Sequence, residues 1–194
     1  MRVLARFATP ILVAAAYCSC PVLAQTSGSM NMPMAGGGQG KAMSSPAETA
    51  SVTLDGKAIK IHYNSPRMRG RTVMGGLVPY GQVWRTGANP ATSFVTEGNV
   101  RIGDLNVPAG KYTLYTLPAA AGTPWMLIIN KQTGQWGTEY SKDQDLGRTK
   151  MQASTLPGPQ ENMTISFEHT TKNSTELHVR WEKADEWVKV ESAQ

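Results

Sequence analysis

Five arginines, Arg67, Arg69, Arg71, Arg85 and Arg148, are the side chains of this sequence best suited to gripping a ligand. A guanidinium is a rigid planar fork of donors that meets a carboxylate, phosphate or sulfate through two parallel hydrogen bonds. Four of the five fall in the segment 64–89, where Gly70, Gly75, Gly76 and Gly87 leave room for a ligand to approach the backbone. Tyr80, Trp84, Trp136 and Tyr140 add flat apolar faces of the kind that stack on a sugar ring or another planar group. The candidate binding set is therefore Arg67, Arg71, Tyr80, Trp84, Arg85, Asn89, Trp136, Tyr140 and Arg148, drawn from two long connections, 64–89 and 130–148. A competing account is architectural. Long ordered loops must satisfy their own polar groups, and arginines bonded to carbonyls or acidic side chains do so.

Catalysis has thinner support. The two cysteines, Cys18 and Cys20, stand in an amino-terminal leader, which restricts a nucleophile in the mature chain to Ser, Thr, Tyr or a carboxylate. His62, His169 and His178 show neither H-x-H spacing nor a helical i, i+4 pair, so no metal site is expected among them. Glu97, Glu139 and Asp145 could pair as acid and base for glycoside cleavage, a chemistry decided by the separation of the carboxylates. Met30, Met32 and Met34 place thioethers at alternate positions, which suits copper(I); the plainer explanation is compositional drift in an unpacked segment. No cofactor is expected.

Strands must position these groups. Ser51 to Leu54 and Ala58 to Tyr63 alternate apolar and polar residues around Asp55-Gly56, the signature of a hairpin with a two-residue primed turn. Further alternating runs cover Thr92 to Thr96, Val100 to Val107, Lys111 to Leu117, Trp125 to Asn130, Met163 to Glu168, Leu177 to Trp181 and Trp187 to Val190. Short strands punctuated by Gly, Pro, Asn and Asp predict an all-β fold, an antiparallel β-sandwich of jelly-roll or immunoglobulin-like type. At most a short helical turn fits near Lys142 to Gly147. Alternation puts Ile59, Ile61 and Tyr63 on the core face, with Met163, Ile165 and Phe167 facing the same core as Leu177, Val179 and Trp181.

The flanks read differently. Arg2 and Arg6 precede an apolar run from Phe7 to Tyr17, and Val22-Leu23-Ala24 suits signal peptidase, so residues 1–24 are expected to be a signal peptide cut after Ala24. That places the mature chain in the periplasm or outside the cell. The run is shorter than the ~20 residues of a spanning helix, and Tyr17 disfavours a lipidation motif at Cys18 or Cys20. Residues 25–50, rich in Ser, Gly, Met and Ala, predict a disordered tether, and 51–191 a single domain. The net charge of +5 falls to +3 once Arg2 and Arg6 leave, too weak a basic balance for a nucleic-acid partner.

The span from about Ser51 to Val190 resembles an exported bacterial family catalogued as domain of unknown function 2911. The resemblance rests on Ser65 to Arg71, Gly75 to Asn89, Pro108 to Pro118, Asn130 to Tyr140 and Asp145 to Arg148. It implies one folded unit in exported proteins, and the family brings no established activity. In similar proteins an acidic residue is common where His62 stands. The functional expectation is a non-enzymatic module for a small anionic or carbohydrate-like ligand. The alternatives are a hydrolase acting on a glycan or ester in the same cleft, a scaffold without a small-molecule ligand, and metal handling through the methionines.

Overall fold

A computed structural model describes residues 44–193; the expected signal peptide, most of the tether and its methionines lie outside the described residues. The described chain forms β1 Ala47–Leu54, β2 Lys57–Asn64, β3 Ser93–Thr96, β4 Val100–Ile102, β5 Leu105–Val107, β6 Gly110–Leu117, β7 Met126–Asn130, β8 Asp145–Lys150, β9 Gln152–Glu168 and β10 Ser174–Ser192. One sheet has the order β1-β2-β3-β6-β7-β8 and the other β5-β4-β10-β9, with every pairing antiparallel. The two pack face to face as a β-sandwich. A single 3-10 turn, Lys142–Gln144, falls where a helical turn was expected, and no helix among the described residues is long and apolar enough to cross a membrane.

Local chemistry explains the turns. Asp55 (φ 46°) and Gly56 (φ 77°) take the two left-handed positions of a primed turn between Leu54 and Lys57, which matches the strand twist of β1 and β2. The run Val100 to Val107 is broken by Gly103 at φ 58°, so it forms the hairpin β4–β5 instead of one strand. The opposite happens at the carboxyl end. Leu177 to Trp181 and Trp187 to Val190 join into β10, and the interval between them is a pair of register shifts around Glu182, itself at φ 54°. β1 starts at Ala47, before the alternation at Ser51 becomes readable.

Both sheets feed one core. Ile59, Ile61, Phe94, Leu114, Leu127 and Ile129 from the first meet Ile102, Met163, Ile165, Leu177, Val179 and Val190 from the second, all buried. Burying each such side chain stabilises the fold by about 1.5–3 kcal/mol, enough to hold a sandwich without disulfides. Tyr63 ties the layers together, its Oη accepting the Ile165 N–H at 3.1 Å.

The connection 64–89 is stitched to both sheets. Met163 N donates to Pro66 O (2.9 Å) and Met68 N to Glu161 O (2.9 Å), while Ser65 Oγ donates to Met163 O (2.7 Å), all on β9. Farther on, Trp84 and Thr116 of β6 exchange backbone bonds at 2.8 and 2.9 Å. A loop anchored at two separated strands holds its intervening side chains in place.

Candidate functional site

Those anchors shape a depression of about 300 Å³ lined by Arg67, Arg69, Arg71 and Arg85 together with Asn89 and Trp84. Arginine ion pairs among the described residues belong to Arg101, Arg148 and Arg180, so none of the four lining arginines is neutralised by a carboxylate there. They differ in how far the loop occupies them. Arg71 donates from Nε to Met68 O and from Nη2 to Arg67 O, both at 2.9 Å, and Arg69 Nη2 donates to Ser44 O at 2.9 Å. Those two are partly loop pins, as the architectural account expects. Arg85 has only a long contact from Nε to Gly87 O, 3.4 Å, and Arg67 joins the fold through its backbone, in a bridge to Asn162. Most donors of Arg67 and Arg85 therefore remain free for a ligand.

The backbone around them is strained. Arg69 (φ 50°), Thr86 (φ 51°) and Asn89 (φ 61°) all occupy the left-handed region, which is costly for a β-branched residue such as Thr86. Thr86 is fully buried and held there by its Oγ1 contact with Thr116 Oγ1 (3.1 Å) and by Thr92 Oγ1, which donates to Thr86 O (2.9 Å). Asn89 Nδ2 is buried without a hydrogen-bond partner, a deficit worth about 1–3 kcal/mol in a finished interior. Trp84 lies stacked on Trp181 at 5.9 Å and edge-on to Trp125 at 6.1 Å, so it is a wall of the depression and not a free platform.

The second connection supports this loop from behind. Trp136 bridges Pro90, Gly137 N donates to Asn89 O at 3.2 Å, and the Arg85 side chain lies against the bare α-carbon of Gly137. Trp136 itself does not line the depression and is 49% exposed. Residues 45–190 match the family model described as "Protein of unknown function (DUF2911)". The chain belongs to the DUF2911 family. No curated protein and no solved structure matches it. The DUF2911 span covers both connections and all nine candidate binding residues.

Within this DUF2911 domain the remaining candidates go elsewhere. Tyr140 and Arg148 form a closed cluster with Asp145: Tyr140 Oη lies 2.7 Å and Arg148 Nε 3.0 Å from Asp145 Oδ2, and Arg148 Nη2 donates to Tyr140 Oη at 2.6 Å. Burial, followed by the hydrogen bond to Asp145, pushes the Tyr140 hydroxyl up to about 12. Asn130 Nδ2 completes the cluster on Asp145 Oδ1 at 2.9 Å. Arg148 Nε and Nη2, Tyr140 Oη and both Asp145 oxygens are engaged within the cluster, which fixes β8 against the 130–140 connection. Arg148→Ala should accordingly lower the unfolding free energy in urea by about 1–3 kcal/mol, because the Asp145 carboxylate loses its cationic partner.

Tyr80 belongs to a separate depression of about 290 Å³ that it shares with Met74, Trp125, Glu182 and Glu186. Glu186 is 4% exposed and burial pushes its carboxyl up to about 7, against a weaker opposing effect of the Trp125 N–H, which donates to Oε2 at 3.1 Å. Sequence reading passed over this group because Lys183 to Glu186 resembles an ordinary polar turn. The carboxylates proposed from the sequence are not gathered there. Glu97 accepts from Ala58 N on the other side of β3, and Asp145 is held in the tyrosine cluster.

Proposed function

We propose that this domain binds a small anionic ligand, with Arg67 and Arg85 as the primary donors, Asn89 Nδ2 as a third, and Arg69 and Arg71 shaping the field. One observation carries the reading: four arginines whose guanidiniums have no carboxylate partner line one depression beside a buried, unpartnered amide. Its volume, about 300 Å³, suits a sugar acid or phosphosugar. Trp84 and Trp181 would supply an apolar wall for the uncharged part.

The test uses thermal shift and calorimetry with glucuronate, glucose 6-phosphate and inorganic phosphate. At least one should stabilise the parent, and Arg85→Ala should weaken its binding by about ten-fold or more, the size of one charge-assisted hydrogen bond. Because Arg85 makes a single, long side-chain hydrogen bond, stability should move by less than about 1 kcal/mol. Asn89→Gly sharpens the distinction, since glycine relieves the positive φ while removing the amide: stability holds or rises and affinity falls. No anion hit for the parent, or parent-like affinity in both variants, sinks the binding reading and leaves the loop as architecture.

A second reading, a hydrolase, is favoured by Glu186, a carboxyl poised to carry a proton near neutral pH in a cleft walled by Tyr80 and Trp125. Turnover of a glycan or ester library that disappears in Glu186→Gln would support it.

A further inference from the structure

His178 is buried near the β9–β10 hairpin with both ring nitrogens facing carboxylates. Nδ1 is 2.7 Å from Asp185 Oδ1 and Nε2 is 3.4 Å from Glu176 Oε2. Seven residues of straight strand would carry Asp185 about 23 Å beyond His178. The contact exists because the register shifts around Glu182 bend β10 between the two. Arg180 then braces Asp185: its Nε lies 3.0 Å from Oδ2 without the alignment of a directed bond, and its Nη2 donates to Glu168 Oε2 at 2.9 Å. Trp187 stacks on the imidazole at 6.0 Å and 20°, closing one ring face.

Nδ1 thus faces Asp185, with Arg180 Nη2 3.1 Å away, and Nε2 is the ring nitrogen turned toward Glu176. His169, on the turn after β9, brings Nδ1 to 2.7 Å from the same Glu176 oxygen. His169, Glu176 and His178 thus offer three electron-rich atoms, all within 4.8 Å of one another. A histidine whose far nitrogen is bonded to a carboxylate, itself held in place, has the outer support found around bound transition metals.

We propose that His169, Glu176 and His178 bind a divalent transition-metal ion, best matched by Zn²⁺, with Asp185 as a positioning residue. Bonds of about 2.0–2.2 Å in tetrahedral geometry put ligand atoms about 3.4 Å apart, the separation already present between His178 Nε2 and Glu176. His169, 72% exposed at its side chain, has freedom to swing out from its shorter contact. Two nitrogens and one carboxylate oxygen favour a borderline ion over magnesium or calcium, which prefer oxygen, and over copper(I), which prefers sulfur. Three protein ligands leave a fourth position open to water or an exogenous group. The site shares no residue with the arginine-lined depression.

The full chain, stripped with chelator, is titrated with ZnCl₂ by calorimetry and with Co²⁺ by visible absorption. One ion per chain is expected, with the intense absorption of four- or five-coordinate Co²⁺. His169→Ala, at an exposed position that leaves the core intact, should lower Zn²⁺ affinity at least about ten-fold, and Asp185→Asn by about 10–100-fold. His62→Ala should bind as the parent does. Absence of saturable Zn²⁺ binding, or equal affinity in the parent and in His169→Ala, overturns the proposal.

Discussion

Glu186→Gln is expected to raise the stability of the protein at pH 8 by about 1–3 kcal/mol and to leave it nearly unchanged at pH 4. Burial raises the folded-state carboxyl to about 7, from 4.5 when exposed in the unfolded chain. Between those values the unfolded state releases its proton first, so unfolding becomes easier as pH rises. Stability conferred by the neutral carboxyl is complete below about pH 4.5, falls through the interval and is lost above about pH 7, to a total of about 3 kcal/mol. Glutamine keeps an acceptor for the Trp125 N–H and cannot ionise, so it removes the slope while preserving the bond. Asp185 contributes to the upward shift, and Glu182 and Lys183 line the same depression. Urea unfolding of parent and variant at pH 4, 6 and 8 reads the difference directly, cancelling the opposite slopes of salt-bridged carboxylates such as Glu168, which Arg180 holds down at about 2. Curves that stay parallel across that range would show that Glu186 titrates like an exposed acid.

The alternation that exposes a strand says little about where it bends. β2 is transparent because Ile59, Ile61 and Tyr63 point inward and Lys60 and His62 outward, with a primed turn before them. The core pairs of the β9–β10 hairpin are equally legible: Leu177 sits across from Phe167, and Val179 from Ile165. β10 as a whole is not, since its two apolar runs look like separate strands until the shifts around Glu182 join them, and those shifts leave no periodic mark. The candidate side chains divide in the same way. Arg67, Arg71, Trp84, Arg85 and Asn89 come from one loop and line one depression, so their closeness along the chain carries over into space. Trp136, Tyr140 and Arg148 have equally suitable chemistry, but an acid three residues before Arg148 captures it together with Tyr140. Glu176 and His178 stand i, i+2 on one strand face, a spacing the sequence reading did not single out, and their partners arrive by a turn and a bend.

Gly137→Ala is expected to destabilise the fold by about 1–3 kcal/mol and to weaken anion binding at the same time, although residue 137 lies outside the arginine-lined depression. A methyl group at this buried glycine would collide with Arg85 Cδ and lie 2.8 Å from Asn89 O. The Asn89 carbonyl is backbone already bonded to Gly137 N at 3.2 Å, so it has little room to retreat. Relief must come largely from the Arg85 side chain. Moving it shifts one of the guanidiniums that line the depression, while the loop's bonds to β9 and β6 stay in place. Gly158→Ala is the matched control: a β-carbon there meets nothing within 4 Å, so the substitution should be neutral or stabilise by up to about 1 kcal/mol by restricting the unfolded chain. Urea midpoints and glucuronate or phosphosugar affinity are measured for both. Loss of affinity beyond the loss of stability in Gly137→Ala alone means that the 130–140 connection positions Arg85 for its ligand. Indistinguishable behaviour of the two alanine variants would mean that Arg85 adjusts freely and that the second connection has no part in the site.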